Sequence, residues 1–473
     1  MRRASHVCTS CELLGFQKQF LMLSNRGNSS GDNDVIDTSG GKFRNGNGDG
    51  KDDDVVTPWN VSATGVRGVN YDRVLVRFKS QPIGEPLLKR MQDVCVERVK
   101  CNNSERGHNA ERSAVGEEVQ PLHHFFRRGI AFSHRDFDIA LTNVQEALRS
   151  GTQGAYLYTG RGPSTRTMHL GHVIPFMLTR YLQDALGLPL VIQITDDEKF
   201  FFRDVPLHDN RCSDGIDIVT ENIKDIIAFG FDPKRTFIFR NTSYMGSMYP
   251  TVVRLQRTMT LSAVKNTLGL IDNDNIGKAS FAATQAAPCF SSSFPCILGE
   301  QDFEKPLQCI VPCAIDQDPY FVLARASASR MKYRAPALLH TKFLPALKGM
   351  RLKMSSSAEE SGVITLHDSP EQVQKKMKKA FSGGSGTLDD MKTKGVDLEA
   401  DVAYQFIRFF SPDDEMVGEV SAKYVVGEMN SCYVKSLAAD VVVRHVLRNW
   451  QAKRKLVTDE EVRRFTEVRN IMA

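Results

Sequence analysis

The stretch Tyr156-Leu157-Tyr158-Thr159-Gly160-Arg161-Gly162-Pro163-Ser164, followed at once by Met168-His169-Leu170-Gly171-His172, runs from a short apolar strand pattern through glycines into a segment of helical spacing over 169–186. Glycines let backbone approach a ligand closely, and the free amides of a helix start favour an anion. The same texture continues downstream. Leu190-Val191-Ile192-Gln193-Ile194 reads as a buried strand, Thr220 to Phe229 as a helix, and Thr236-Phe237-Ile238-Phe239 and Gln308-Cys309-Ile310-Val311 as two further strands. Strands separated by helices predict an α/β fold, a Rossmann-like parallel sheet with helices on both faces and ligands at the C-terminal ends of its strands. The loops directly after the strands are therefore where chemistry is expected.

Beyond His367 strand patterns stop, and 370–381, 400–410, 413–430, 432–449 and 458–471 all show helical spacing. The spacing predicts a C-terminal all-helical domain over 368–473, after a catalytic domain over 121–367. Toward the N-terminus, Val55 to Phe78 carries β-branched runs around Gly65 and Gly68, including Val74-Leu75-Val76, which predicts a small appended β-hairpin. Pro86 to Val99 reads as a short helix and Lys100 to Gln120 as a long loop, so 55–120 forms an appended N-terminal region. Residues 1–54 are expected to be a disordered polar tail, because from Gly27 to Asp54 only Val35, Ile36 and Phe43 are large and apolar.

With 473 residues, 41% hydrophobic and 25% charged, the chain is neither wholly disordered nor collagenous. The most apolar stretch, near Val441, is broken by Arg444 and His445, so no membrane span is expected. The net charge of +5 is small but uneven: residues 441–473 hold eight Lys/Arg against four Asp/Glu, and Lys375, Lys376, Lys378 and Lys379 form a second cluster. An anionic partner would dock there, with a solvated helix face as the alternative reading. Ten scattered cysteines fit a reducing compartment, which points to the cytoplasm. Cys8 and Cys11 have zinc-ligand spacing, but no second pair follows, so no metal site is expected. Four basic residues and one acidic one in the first 26 leave organelle import as a minor alternative.

His169 and His172, three apart, place two imidazoles on one face of a first helical turn, where two donors could hold phosphates and stabilise charge developing on an α-phosphate. Lys353-Met354-Ser355-Ser356-Ser357 lies 181 residues after His172. A mobile loop bearing one lysine and three hydroxyls can close over a triphosphate and follow departing pyrophosphate. The ordered pair resembles the His-x-Gly-His and Lys-Met-Ser-x-Ser signatures of class I aminoacyl-tRNA synthetases. Five further segments, the Tyr156–Ser164 stretch among them, are similar to the tryptophanyl-tRNA synthetases of the eukaryotic and archaeal type. The others are Gln193-Ile194-Thr195-Asp196-Asp197-Glu198-Lys199, Gln285-Ala286-Ala287-Pro288, Cys313-Ala314-Ile315-Asp316-Gln317-Asp318-Pro319-Tyr320-Phe321 and Ala380-Phe381-Ser382-Gly383-Gly384. The resemblance spans about residues 55 to 470.

Indole offers a large apolar face and a single N–H donor, so its reader needs acceptors at the pocket's end. The resemblance implies that Tyr158 and Gln193 supply them, while Glu198, Gln285 and Gln317 hold the α-ammonium group and its polar surroundings. It likewise implies ATP as substrate, with His169 and His172 on its phosphates, Lys353 on the pyrophosphate, and Thr159, Gly160, Arg161, Gly171, Met354, Ser355 and Ser357 around the nucleotide. Mg²⁺ is expected with the triphosphate, without a carboxylate cluster that would mark dedicated protein ligands. The implied reaction is activation of L-tryptophan to an adenylate and transfer to tRNA(Trp), by a homodimer whose helical domain binds the anticodon. One departure from the signature is Ser356, where the family's second lysine stands, leaving open whether Arg161 or another cation takes its role. The competing readings are a tyrosyl-tRNA synthetase and a non-catalytic tRNA-binding or signalling paralogue.

Overall fold

Leu190-Val191-Ile192-Gln193-Ile194 has no exposed residue, as required of a strand covered on both faces. It is β6 in the computed structural model, which describes residues 54–107, 119–203, 207, 215–299, 306–354, 362–384 and 392–472. Seven strands form the main sheet: β3 (Gln81–Pro82), β4 (Ala131–Arg135), β5 (Ala155–Arg161), β6, β7 (Thr236–Arg240), β8 (Gln308–Ala314) and β9 (Ala337–Thr341). Their spatial order is β3-β4-β9-β8-β5-β6-β7. The five strands from β9 to β7 are parallel; β5, β6, β7 and β8 are the four the sequence reading expected, and β9 is one it did not. Strands β3 and β4 add an antiparallel edge that the sequence reading did not anticipate. On that edge Ser133 Oγ meets His340 Nδ1 at 2.8 Å.

The chain runs outward from β5 through β6 to β7, then returns to place β8 on the other side of β5, so the topological switch point lies between β5 and β8. Pairing of β5 with β8 extends from Ala155↔Gln308 to Leu157↔Ile310, whereas β6 follows β5 to Arg161↔Ile194. The edge of Tyr158 to Arg161 that faces β8 is thus left unpaired, opening a crevice.

The expected hairpin is present but shorter than expected. Strands β1 (Val55–Val56) and β2 (Val61–Ser62) pair antiparallel, and β2 joins β11 (Gly349–Lys353), which pairs with β10 (Pro345–Ala346). Val74-Leu75-Val76, read as part of that hairpin, is instead helical within Tyr71–Phe78. Asn70 caps the helix by accepting from the Arg73 amide, and Val74 and Phe78, four apart, bury one face while Val76 is 80% exposed. Capping and a one-sided apolar stripe outweigh the β preference of valine. The helix expected over 86–99 extends over Glu85–Gly107 and takes up the start of the long loop expected from Lys100. Residues 108–118 of that loop, and positions 1–53 of the expected tail, lie outside the described residues.

Among the described residues after 367 no strand follows, and the helices include Pro370–Lys378, Val402–Phe410, Asp414–Val425, Ser431–Val442, a π turn at Val443–Leu447, Arg448–Leu456 and Asp459–Thr466. Their apolar faces join the sheet's own core, Phe406 and Val442 belonging to one cluster with Leu190 and Ile192. The carboxylate of Asp225, fully buried, accepts from Arg454 Nε at 2.8 Å, and its carbonyl accepts from Trp450 Nε1 at 3.0 Å. Arg454 also reaches Glu221 at 2.7 Å, and Arg469 donates to the carbonyl of Thr236. Part of the basic C-terminal charge therefore fastens this segment to the sheet. Lys376 is tied to Asp368 at 2.7 Å, whereas Lys375, Lys378, Lys379, Arg444, Arg448, Lys453 and Lys455 are exposed. Among the described residues no helix is long and apolar enough to cross a membrane, and no cysteine is bridged.

Truncating Arg454 leaves Asp225 buried without its main cation. Arg454→Ala is expected to lower stability by about 3–5 kcal/mol in urea unfolding, whereas Lys455→Ala, at an exposed position on the same helix, changes it by less than about 0.5 kcal/mol.

Candidate functional site

His169 is the N-cap of the helix Leu170–Leu186, and its Nδ1 accepts the Gly171 amide at 3.1 Å. Because the amide can only donate, the His169 proton is fixed on Nε2. His172 Nε2 lies 2.9 Å from Arg161 Nη1. A guanidinium has no acceptor, so His172 Nε2 accepts and the proton sits on Nδ1. The two rings stack with centroids 3.6 Å apart. Burial, reinforced by the charges of Arg161 and Lys353, pushes His169 down to about 3 and His172 well below its usual value, so both are neutral at physiological pH. Arg161 remains a cation although burial lowers it to about 10.

Three N–H groups on these adjacent side chains, His169 Nε2, His172 Nδ1 and Arg161 Nη2, are buried without a hydrogen-bond partner. Among the described residues Arg161 makes no ion pair, its other contact being Asn222 Oδ1 at 3.2 Å from Nε. Unsatisfied buried donors beside an unpaired buried cation are chemically suited to an anion. A side chain at Gly171 would crowd this packing, since a Cβ there would lie 3.0 Å from the His169 ring and 3.4 Å from Cβ of Met354. At Gly162 a Cβ would collide with Glu198 Oε2. Thr159 is buried and Gly160 pairs with Gln193, both on β5.

Three residues before Arg161 on the same strand, a second network begins. Tyr158 donates its hydroxyl to Gln193 Oε1 at 2.5 Å and lies 3.1 Å from the Gln285 carbonyl, while Gln285 Nε2 donates to the Tyr158 oxygen at 3.0 Å. Gln193 Nε2 is committed to Asn241 Oδ1 at 2.8 Å and the Thr284 carbonyl at 3.3 Å, and Asn241 in turn donates to Asp197 at 2.7 Å. This chain fixes the Gln193 amide with its oxygen toward Tyr158. Burial raises the Tyr158 hydroxyl well above its usual range and Asp197 up to about 6. Tyr158 and Gln193, both fully buried, thus have their oxygens held in fixed orientation.

The remaining expected residues are more dispersed. Glu198 accepts from Thr195 Oγ1 at 2.8 Å and pairs with Lys199 at 2.7 Å. Gln317 closes the turn after β8, half-buried at the start of the helix Asp318–Met331. Lys353, at the end of β11, is held by the neighbouring Asp316 at 2.5 Å. Met354 is buried, while Ser355 and Ser357 lie outside the described residues. Among the described residues no group of three His, Cys, Asp or Glu is placed to hold a metal.

Sequence reasoning missed Asn222, Asn241 and Asp316 as site residues, and the tip of the hairpin. Trp59 there donates to the Leu268 carbonyl at 3.0 Å, stacks on Phe202 at 4.1 Å and meets Tyr320 edge-on. One signal was available: Asn222 occupies the apolar stripe Val219, Ile223, Ile226 of its helix, where a polar residue needs a partner.

A crevice at the switch point of a parallel sheet, lined by a histidine pair at a helix start and by a lysine on a distant strand, defines a nucleotide-binding enzyme of the class I synthetase kind. Residues 152–446 match the family of class I tRNA synthetases for tryptophan and tyrosine, to which the chain belongs. The cytoplasmic tryptophan–tRNA ligase of Dictyostelium discoideum is 40% identical over 419 residues, covering 88% of this chain and 96% of its own length. The cytoplasmic tryptophan–tRNA ligase of Homo sapiens is 41% identical over 424 residues, covering 89% and 82%. The crystal structure of Plasmodium falciparum tryptophanyl-tRNA synthetase superimposes with a TM-score of 0.69 at 39% identity, covering 84% of this chain and 95% of that one.

His169 is held neutral in the fold at about 3 but regains its ordinary value of 6.5 on unfolding. The unfolded chain therefore binds more protons between these values, and the stability contributed above pH 6.5 is lost as pH falls toward 3. Urea unfolding of the wild type between pH 7.5 and 5 should show a steeper decline than that of His169→Gln, by up to about 1.4 kcal/mol per pH unit.

Proposed function

We propose that the protein is a cytoplasmic tryptophan–tRNA ligase, which activates L-tryptophan with ATP to tryptophanyl-adenylate and pyrophosphate and then transfers the acyl group to tRNA(Trp). The observation that carries this reading is the placement, three residues apart on β5, of Tyr158 in an acceptor network and Arg161 in a donor network. Indole N–H suits the first and the polyphosphate the second. The substrate carboxylate between them attacks the α-phosphate in line.

In that step the enzyme orients and stabilises charge. Neutral His169 and His172 donate from Nε2 and Nδ1 to phosphate oxygens as charge builds, and need no proton exchange to do so. Arg161, itself buried, supplies fixed positive charge. Lys353 must exchange Asp316 for the departing pyrophosphate, so its ion pair is an off-duty position. Glu198 and Gln317 are the candidates for the α-ammonium group. Mg²⁺ enters as part of the nucleotide substrate, since donors rather than carboxylates dominate around the histidine pair. The tRNA is proposed to lie against the exposed Lys375, Lys378, Lys379, Arg444 and Arg448 of the helical segment, and the active species to be a homodimer, as in the family it resembles.

Amino-acid-dependent ATP–pyrophosphate exchange with each of the twenty amino acids should respond to tryptophan; a response to tyrosine, or to none with folded protein, overturns the assignment. Lys353→Ala should slow activation by about 100-fold or more while changing tryptophan binding less than about threefold, read by single-turnover kinetics and equilibrium binding. Equal losses would contradict the role given to Lys353.

A further inference from the structure

Asn222 is fully buried, and each of its polar atoms is engaged. Its Oδ1 accepts from Arg161 Nε at 3.2 Å. Its Nδ2 donates to the Thr165 carbonyl and to the Ile218 carbonyl, both at 2.9 Å. Thr165 lies in the connection between β5 and the His169 helix, so one amide spans the buried guanidinium, the connecting loop and the packed helix Ile218–Ile227. Among the described residues the Arg161 guanidinium has two hydrogen-bond partners, Asn222 on Nε and His172 on Nη1, with Nη2 left unpartnered.

A guanidinium is a planar fork, so fixing Nε fixes the directions of both Nη groups. Asn222 therefore aims Nη1 at His172 Nε2, and that contact decides which ring nitrogen of His172 keeps its proton. We infer that Asn222 is a positioning residue for polyphosphate binding, acting through Arg161 to hold His172 in its Nδ1–H form and to keep Nη2 free for the ligand. The neutrality of Asn222 is part of the device. A carboxylate at the same place would pair with Arg161 and cancel the charge that the anion is to meet, and it would face two carbonyl oxygens. The inference rests on the reading of Arg161, His169 and His172 as the polyphosphate site, but not on the identity of the amino acid activated.

The test uses the full chain with inorganic pyrophosphate and ATP as probes. Asn222→Ser retains a hydroxyl that can bond back to the Ile218 carbonyl, so the helix keeps its packing while Arg161 and Thr165 are released; Asn222→Ala is the second variant. Nitrogen NMR of the wild type should show His172 protonated on Nδ1, and Asn222→Ser should shift it toward the Nε2–H form. Pyrophosphate and ATP binding should weaken by about tenfold, with tryptophan binding changed less than about twofold. In a cycle with Arg161→Ala, the double variant should bind ATP no more weakly than Arg161→Ala alone, because one residue acts through the other. Multiplied losses, an unaltered His172 tautomer, or equal weakening of ATP and tryptophan would overturn the inference. If the wild-type protein binds neither pyrophosphate nor ATP, the failure lies with the site assignment itself, and the inference falls with it.

Discussion

Strand β5 is paired along its first half with β8 and along its second half with β6, and the change of partner at Leu157 sets the geometry of everything functional. From Tyr158 onward one edge of the strand faces a crevice rather than a neighbour. Successive residues of a strand point to opposite faces, so Tyr158 and Arg161 lie on opposite sides of the sheet, and one short segment serves two chemically unlike networks. On one side stand oxygens whose orientation is fixed through Gln193, Asn241 and Asp197. On the other stand N–H donors and a positive charge.

The second network is arranged against the usual economy of protein interiors. Buried charge is ordinarily paired, and leaving it unpaired costs several kcal/mol. Arg161 is instead held by an amide and an imidazole, neutral partners that orient it without quenching it. Burial, reinforced by its field, keeps the stacked histidines unprotonated, which spares the site three adjacent cations and leaves two directed donors. Lys353, by contrast, is paired with an acid, Asp316, as suits the movable role proposed for it. Fixed and movable cations are thereby separated: one belongs to the sheet, the other to the end of β11, which pairs with the N-terminal hairpin.

The alternation of strands and helices was legible because buried parallel strands such as Leu190–Ile194 need unbroken apolar runs, and the helices after residue 367 because their apolar spacing is regular. The antiparallel edge β4 was not, since Ala131-Phe132-Ser133-His134-Arg135 carries polar residues whose partners the fold brings in, His340 for Ser133, the Phe137 amide for His134 and Asp318 for Arg135. Val74 to Val76 misled because β-branched residues fit a strand locally, while the Asn70 cap and the contact face of Val74 and Phe78 exist only in the folded chain. Of the proposed site residues, His169, His172, Arg161, Tyr158 and Gln193 were singled out through the motifs that contain them. Asn222 was hidden within an ordinary amphipathic helix.

The sequence by itself determined the fold class and the alternation of strands and helices from β5 to β8, and it picked out the side chains proposed to handle indole and phosphate, because periodicity and residue chemistry are local properties. Tertiary structure alone decided how those side chains are used. The proton positions on His169 and His172 follow from a backbone amide and from a guanidinium eleven residues away, and that guanidinium's direction follows from Asn222 on another helix. The fate of the basic C-terminal residues was decided in the same way, Arg454 being turned inward to the buried Asp225 while Arg444 and Arg448 stay exposed. A hydrogen bond or ion pair needs its partner in place, and partners distant in sequence meet only when the chain has folded.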